Sequence, residues 1–232
     1  MADRAPAPAA LSATKGQIRV LEPSRAQLTI ARRSAQARAT VPDLELDLDV
    51  DMSACAALRH EQGYSVTAML VKACALALRE VPRANGAYRD GRFELYSRVN
   101  VGVTISTEDA YASPTVLDAD RRSLSELTEQ IEALARRARR GELTPPELAG
   151  ATFTLSNLGM YGVTRCTTIL SPAHAGALVA GAIRQVPVVR GTAIVPGQMM
   201  TLTLACDHRI LYGTQAAHFL AATGALLARA AL

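Results

Sequence analysis

The chain has 232 residues, of which 49% are hydrophobic and 20% charged, with a formal net charge of +4. High apolar content and weak net charge exclude general disorder, and a chain this long buries a sizeable core without disulfides or metals. Four scattered cysteines (Cys55, Cys74, Cys166, Cys206) without CxxC pairing, no tryptophan and only 4% aromatic residues argue against disulfide-stapled, metal-binding and base-stacking nucleic-acid classes.

In chain order, residues 1–20 are rich in Ala and Pro and are expected to form a flexible tail, followed by one domain over 21–232. Residues 24–38 are expected to be a helix with one basic face. Residues 42–51 alternate acidic and apolar side chains, the period of a strand with one buried face. A helix over 52–61, stopped by Gly63, and a nearly all-apolar helix over 67–80 follow; the second is central to the core. It is too short to span a bilayer, and the N-terminus lacks a signal-peptide core, so no membrane partner and a cytoplasmic location are expected. Residues 98–106 form a β-branched strand. The clearest amphipathic helix covers 123–140, with Leu124, Leu127, Ile131, Leu134 and Ala138 on one face. Ser123 and Glu126 form its capping box and Gly141 ends it; its arginines are expected to be a solvated face rather than a phosphate patch. Thr144-Pro-Pro-Glu147 starts a short helix, strands are expected over 151–156, 177–183 and 199–206, and a last helix over 214–231. The architecture is therefore α/β, a mixed sheet with packed helices.

Few residues are equipped for chemistry. His60 and His218 sit in helical patterns and are expected at the surface or core edge. His174 lies in a loop before an apolar strand, where a structural role outweighs a ligand contact. His208 differs: it follows the strand Met-Thr-Leu-Thr-Leu-Ala-Cys, and a histidine at a strand mouth is held rigidly and suits general-base work near neutral pH. Flanking Asp207 and Arg209 are expected to pair with other groups and fix that loop. A second polar cluster, Thr152 to Gly159, contains Ser156 and an Asn157-Leu-Gly turn. Ser156 lacks a GxSxG elbow, which disfavours a hydrolase nucleophile, but its hydroxyl suits hydrogen bonding to an oxyanion. No Walker loop, GxGxxG, HExxH or metal-spaced Cys/His cluster appears, so no metal is expected and the chemistry runs on side chains and a diffusible co-substrate.

Several blocks then occur in one order: Ile-Ala-Arg-Arg (30–33), Ala-Leu-Ala-Leu-Arg-Glu-Val-Pro (75–82), Arg-Val-Asn-Val-Gly-Val (98–103), Ser-Pro-Thr-Val-Leu-Asp-Ala-Asp (113–120), Phe-Thr-Leu-Ser-Asn-Leu-Gly-Met-Tyr-Gly-Val (153–163) and Met-Thr-Leu-Thr-Leu-Ala-Cys-Asp-His-Arg (200–209). Together they resemble the catalytic domain of the dihydrolipoamide acyltransferases of 2-oxo acid dehydrogenase complexes. That resemblance implies the two-layer sandwich shared with chloramphenicol acetyltransferase. It implies an acyl-CoA, such as acetyl-CoA, as co-substrate, with direct transfer and no acyl-enzyme. His208 takes the place of the catalytic base and Ser156 that of the oxyanion-stabilising serine, with Asp207, Arg209, Asn157 and Tyr212 in support. The family's trimers set the histidine of one subunit beside the serine of the next, with coenzyme A and acceptor entering from opposite ends of an interfacial channel. Residues contacting coenzyme A are not assigned.

The chain also departs from the family pattern. Tyr212 replaces the aspartate of the family's DHRxxDG motif, Gln27 stands where an arginine is usual, and Asp109-Ala110 replaces an Asp-Gly. Replacing both members of a buried ion pair is nearly neutral, whereas leaving one alone is costly. No lipoyl domain precedes the catalytic domain, so no covalently attached lipoyl group is expected. The leading expectation is therefore a stand-alone acetyltransferase acting on a small-molecule hydroxyl, like those of tetronate biosynthesis. The alternatives are a dihydrolipoamide acyltransferase core using a separate lipoyl protein, or a non-catalytic scaffold.

Overall fold

The computed structural model describes residues 16–108 and 110–232. The expected tail falls mostly outside them; residues 16–20 are exposed and have no regular structure. Asp109 also lies outside the described residues.

Helix α1 (Arg25–Thr40) starts at Ser24, whose hydroxyl accepts from Gln27 N while Gln27 Oε1 accepts from Ser24 N. Gln27 thus completes a capping box. Strand β1 (Asp43–Asp51) follows, then α2 (Ser53–Gln62) and α3 (Val66–Glu80). Next come β2 (Gly86–Arg89), β3 (Arg92–Leu95), β4 (Val101–Ser106), β5 (Tyr111–Ala112) and β6 (Thr115–Val116). Helix α4 (Leu124–Arg139), β7 (Phe153–Asn157), β8 (Gly176–Ala180), β9 (Arg184–Arg190), β10 (Ala193–Asp207) and α5 (Gly213–Ala228) complete the chain. The Thr144-Pro-Pro-Glu147 start opens a 3₁₀ turn, Pro145–Leu148, with its own capping box.

Eight strands form one sheet in the order β1-β10-β8-β7-β4-β5, with β6 on β4 and β9 on β10. The pairs β4–β7 and β7–β8 are parallel and the others antiparallel, so the sheet is mixed as expected. The alternation of β1 fixes its seating. Leu44, Leu46, Leu48 and Val50 join the main core, where an added Cβ on Gly224 of α5 would come within 2.7 Å of Leu48. On the opposite sheet face the acids find partners: Asp47 accepts from Thr203 Oγ1 and Asp49 from Thr201 Oγ1, both at 2.6 Å. Helix α3 supplies much of the core, with nine buried residues including Met69, Leu70 and Leu78. Val41, Leu170 and Ala177 form a small second cluster.

Three expectations need correction. The hairpin β2–β3 was not foreseen, although Asp90-Gly91 is a two-residue turn with both residues at positive φ (50° and 76°). Strand β10 starts six residues before the expected 199 and pairs with an unforeseen β9. Pro187, Pro196 and Gly197 resemble strand breakers, but Pro187 pairs opposite Pro196 on a two-stranded arm, where missing donors are tolerated. The strand expected over 177–183 stops at Ala180. There Gly181 N donates to Thr201 O and Ala182 N to Val163 O, and an added Cβ on Gly181 would lie 1.9 Å from Thr164 O. This close approach clamps the chain after β7 against the exit of β8.

Candidate active site

Ser156 sits near the C-terminal end of β7, half-buried, level with Thr104 on β4 and Val179 on β8. Phe153 and Leu155 point into the core, which turns Ser156 to the other sheet face. Its hydroxyl has no hydrogen-bond partner among the described residues. Asn157 fixes the strand exit: Nδ2 donates to Thr67 Oγ1 in the first turn of α3 (3.1 Å), and Oδ1 accepts from Gly159 N (3.0 Å). The Asn-Leu-Gly turn is thus present, and Asn157 also ties it to a core helix.

His208 is the first residue after β10, and its ring is exposed while its N–H donates to Pro42 O. Asp207 beneath it is fully buried, and its carboxylate accepts from Arg209 N (3.0 Å), Nε (2.9 Å) and Nη2 (2.8 Å). Asp207 and Arg209 therefore pair with each other rather than with other groups, because Ile210 and Leu211 both donate to Asp207 O and fold the turn back. The carboxylate in turn holds the Arg209 guanidinium above its ordinary pKa. Arg209 lies over the Tyr88 ring, 4.6 Å from its centroid. Tyr212, at the N-cap of α5, offers no side-chain cap but meets the His208 ring edge-on at 5.8 Å.

Composition and local pattern did not point to Arg83, Tyr88 or Phe93 beside this loop. Their only local signal was the Asp90-Gly91 turn that makes the hairpin.

Ser156 and His208 do not meet within one chain. Ser156 is level with Thr203 of β10, two strands away, through Val179. His208 lies five residues beyond Thr203, just past the end of β10, so the two are about 16 Å apart along the strands and about 10 Å across them.

The other candidates have structural roles. His174 is buried; Nε2 donates to Ala151 O (2.9 Å) and Nδ1 accepts from Thr154 Oγ1 (3.0 Å). Burial holds its pKa below 6.5 despite the carbonyl contact, so the ring is kept neutral. The unfolded chain then binds more protons than the folded one as pH falls through and below 6.5. Stability should decline across that window, and His174→Gln should flatten the decline; denaturant midpoints at pH 7.5 and 5 check this, and equal slopes would refute it. His60 and His218 are exposed. Among the arginines of α4 and its flanks, Arg137 pairs with Glu147, Arg140 with Glu142 and Arg136 with Glu132, the pattern of a solvated face. The four cysteines are free. Burial pushes the Cys55 thiol up to about 11 and Cys206, beside the His208 loop, up to about 12, which removes both as nucleophiles at neutral pH. Among the described residues no cluster of His, Cys, Asp and Glu is suited to a metal ion, and no helix is long and apolar enough to cross a membrane.

Comparisons with known proteins accord with this layout. The model of the 2-oxoacid dehydrogenases acyltransferase family (catalytic domain) matches residues 15–232. The dihydrolipoyllysine-residue acetyltransferase component of the pyruvate dehydrogenase complex of Zymomonas mobilis is 34% identical over 208 residues, covering 86% of this chain and 47% of the relative. The chain thus spans about half the length of the curated relatives it matches. The dihydrolipoamide acetyltransferase of Azotobacter vinelandii, solved to study a serine, a histidine and an asparagine in its catalytic mechanism, superposes with a TM-score of 0.90 at 29% identity, covering 97% of each chain. Chloramphenicol acetyltransferase superposes at 0.58 and 15% identity, covering 84% of this chain and 94% of that one, which shows the shared fold. These relatives correct the expected function. The curated relatives are components of pyruvate dehydrogenase complexes, which overturns the expectation of a stand-alone natural-product O-acetyltransferase. The chain belongs to the acyltransferase family of 2-oxoacid dehydrogenases, as its catalytic domain.

Proposed function

We propose that this chain moves an acetyl or other short acyl group between coenzyme A and a dihydrolipoyl thiol carried on a lipoyl-bearing protein. His208 takes the proton from the attacking thiol. The thiolate adds to the thioester carbonyl, and the Ser156 hydroxyl donates a hydrogen bond to the oxyanion that forms. The intermediate collapses, the second thiolate leaves, and the imidazolium returns the proton to it, so His208 ends neutral and no acyl group passes through the enzyme.

The carrying observation is positional. The same number of residues separates Ser156 from His208 as separates the serine and histidine studied in the Azotobacter vinelandii enzyme, whose asparagine stands where this chain has Tyr212. A base and an oxyanion donor must both lie about 3 Å from atoms of one reacting group. Ser156 and His208 lie at opposite ends of the sheet, so a working site takes the serine from one subunit and the histidine from another. A ring of three identical subunits supplies that arrangement at each interface. Four unpaired cysteines suit a reducing, cytoplasmic setting.

The direct test is acetyl transfer from acetyl-CoA to free dihydrolipoamide, followed as thioester formed and thiol released. Turnover that saturates in both substrates is expected. Acetyl-CoA consumption with a hydroxyl acceptor but none with dihydrolipoamide would overturn the proposal.

A further inference from the structure

The hairpin β2–β3 and the His208 turn are joined by a run of stacked rings and guanidinium groups. Arg209 lies 4.6 Å from the Tyr88 centroid, and Tyr88 and Phe93 stand 6.2 Å apart and tilted by 56°. Arg83 lies 4.9 Å from the Phe93 centroid and 5.5 Å from that of Tyr212. Tyr212 closes the run, edge-on to His208 at 5.8 Å and 70°. Both Arg83 distances are within the reach of cation–π attraction, about 6 Å.

Three further observations bear on Tyr212. It occupies the N-cap of α5 yet makes no capping bond, so helix geometry gives no reason for a tyrosine there. The His208 ring has no hydrogen-bond partner among the described residues, so within the chain its orientation depends on packing. Tyr212 is also 44% exposed, more than core packing requires.

We propose that Tyr212 is a positioning residue for His208, held in place by Arg83, which is itself stacked on Phe93. The inference rests on the base role proposed for His208. The aromatic edge fills the space beside the imidazole and limits its rotation about the Cβ–Cγ bond. The ring, not the hydroxyl, does this. The guanidinium between two rings keeps Tyr212 from swinging into solvent, in the way an aromatic face retains a cation.

The test is steady-state acetyl transfer between acetyl-CoA and dihydrolipoamide by purified full-length protein, with assembly state checked by sedimentation. Tyr212→Ala should lower kcat by about 10–100-fold, the scale of lost orientation, with both KM values held within about twofold. Tyr212→Phe should retain kcat within about threefold, because it keeps the ring. Tyr212→Ser separates catalysis from stability: it supplies an N-cap and should raise Tm by roughly 2–4 °C while lowering kcat like the alanine variant. Arg83→Ala should lower kcat by about 2–5-fold, the worth of one exposed cation–π contact. Tyr212→Ala or Tyr212→Ser with wild-type kcat would overturn the positioning role. Equal losses in Tyr212→Phe and Tyr212→Ala would also overturn it, since the hydroxyl would then be the active part. An unchanged Arg83→Ala would remove the clamp. His208→Ala separates the two levels: if it keeps full activity, the base reading fails first; if it is inactive and Tyr212→Ala is not, this inference alone fails.

Discussion

Replacing His208 with alanine is expected to slow acetyl transfer by a factor on the order of 10²–10⁴, the usual contribution of a positioned general base. Ser156→Ala should cost about 10²–10³ in kcat, the scale of one lost oxyanion donor. Neither change should disturb the fold. The His208 ring is exposed and the Ser156 hydroxyl has no partner among the described residues, so truncation leaves no buried group unsatisfied. The sharper result concerns mixtures. When the two inactive variants are unfolded together and reassembled, a site formed between subunits sometimes receives its serine from the His208→Ala chain and its histidine from the Ser156→Ala chain. Random mixing makes about a quarter of the sites complete, so activity should return to about a quarter of wild type from nearly nothing. If both residues serve the same substrate from one chain, mixing restores nothing. A double variant mixed with either single one is the control, and it should remain inactive. Full activity in His208→Ala would end the base assignment whatever the mixtures show.

The parts of the site visible in the sequence are those carried by local pattern. The alternation of β1 placed its acids and leucines on opposite faces, and the structure puts Leu48 under α5 and Asp47 against Thr203. Ser123 and Glu126 announced the start of α4, and both halves of the box are formed. His208 stood out as the histidine at the mouth of a buried strand, and β10 does end at Asp207. Other features depend on tertiary contact and have no period to detect. Tyr88 of the β2–β3 hairpin meets Arg209 and Arg83, just before the hairpin, meets Tyr212, with Phe93 packed between Tyr88 and Arg83. The separation of Ser156 from His208 follows from strand order, since β8 lies between β7 and β10 and runs against β10. Proline at 187 and 196 hid a long arm, because breaker rules assume a strand with neighbours on both sides. The choice of acceptor was misjudged for a chemical reason. A histidine base and a serine donor serve a thiol and a hydroxyl alike, so the domain's own residues do not distinguish them. The relatives are named as dihydrolipoyllysine and dihydrolipoamide acetyltransferases, which supports the dihydrolipoyl thiol proposed as acceptor.

Arg209→Met should be the most destabilising single change near the site. The Asp207 side chain is 1% exposed, and among the described residues its carboxylate accepts from the Arg209 N–H and otherwise from the Arg209 guanidinium alone. Removing that group leaves a buried carboxylate nearly alone, which costs about 3–5 kcal/mol and lowers Tm by on the order of 10 °C in a domain of this size. Removing both charges is different. In Asp207→Leu/Arg209→Met no ion remains to be solvated, so most of the stability should return, and the double-mutant cycle should show strong coupling. The turn depends on backbone atoms that both variants keep, since Asp207 O accepts from Ile210 N and Leu211 N and Asp207 N donates to Ala175 O. Activity should follow another rule. Both variants lose the Arg209 contact with Tyr88 at the far end of the stack, while Tyr212 remains on His208. The double variant should therefore regain stability and keep most of its kcat. Thermal and denaturant unfolding of the four proteins of the cycle decide the point. Arg209→Met within 1 kcal/mol of wild type, or a double variant no more stable than that single one, would show that the pair does not secure this turn.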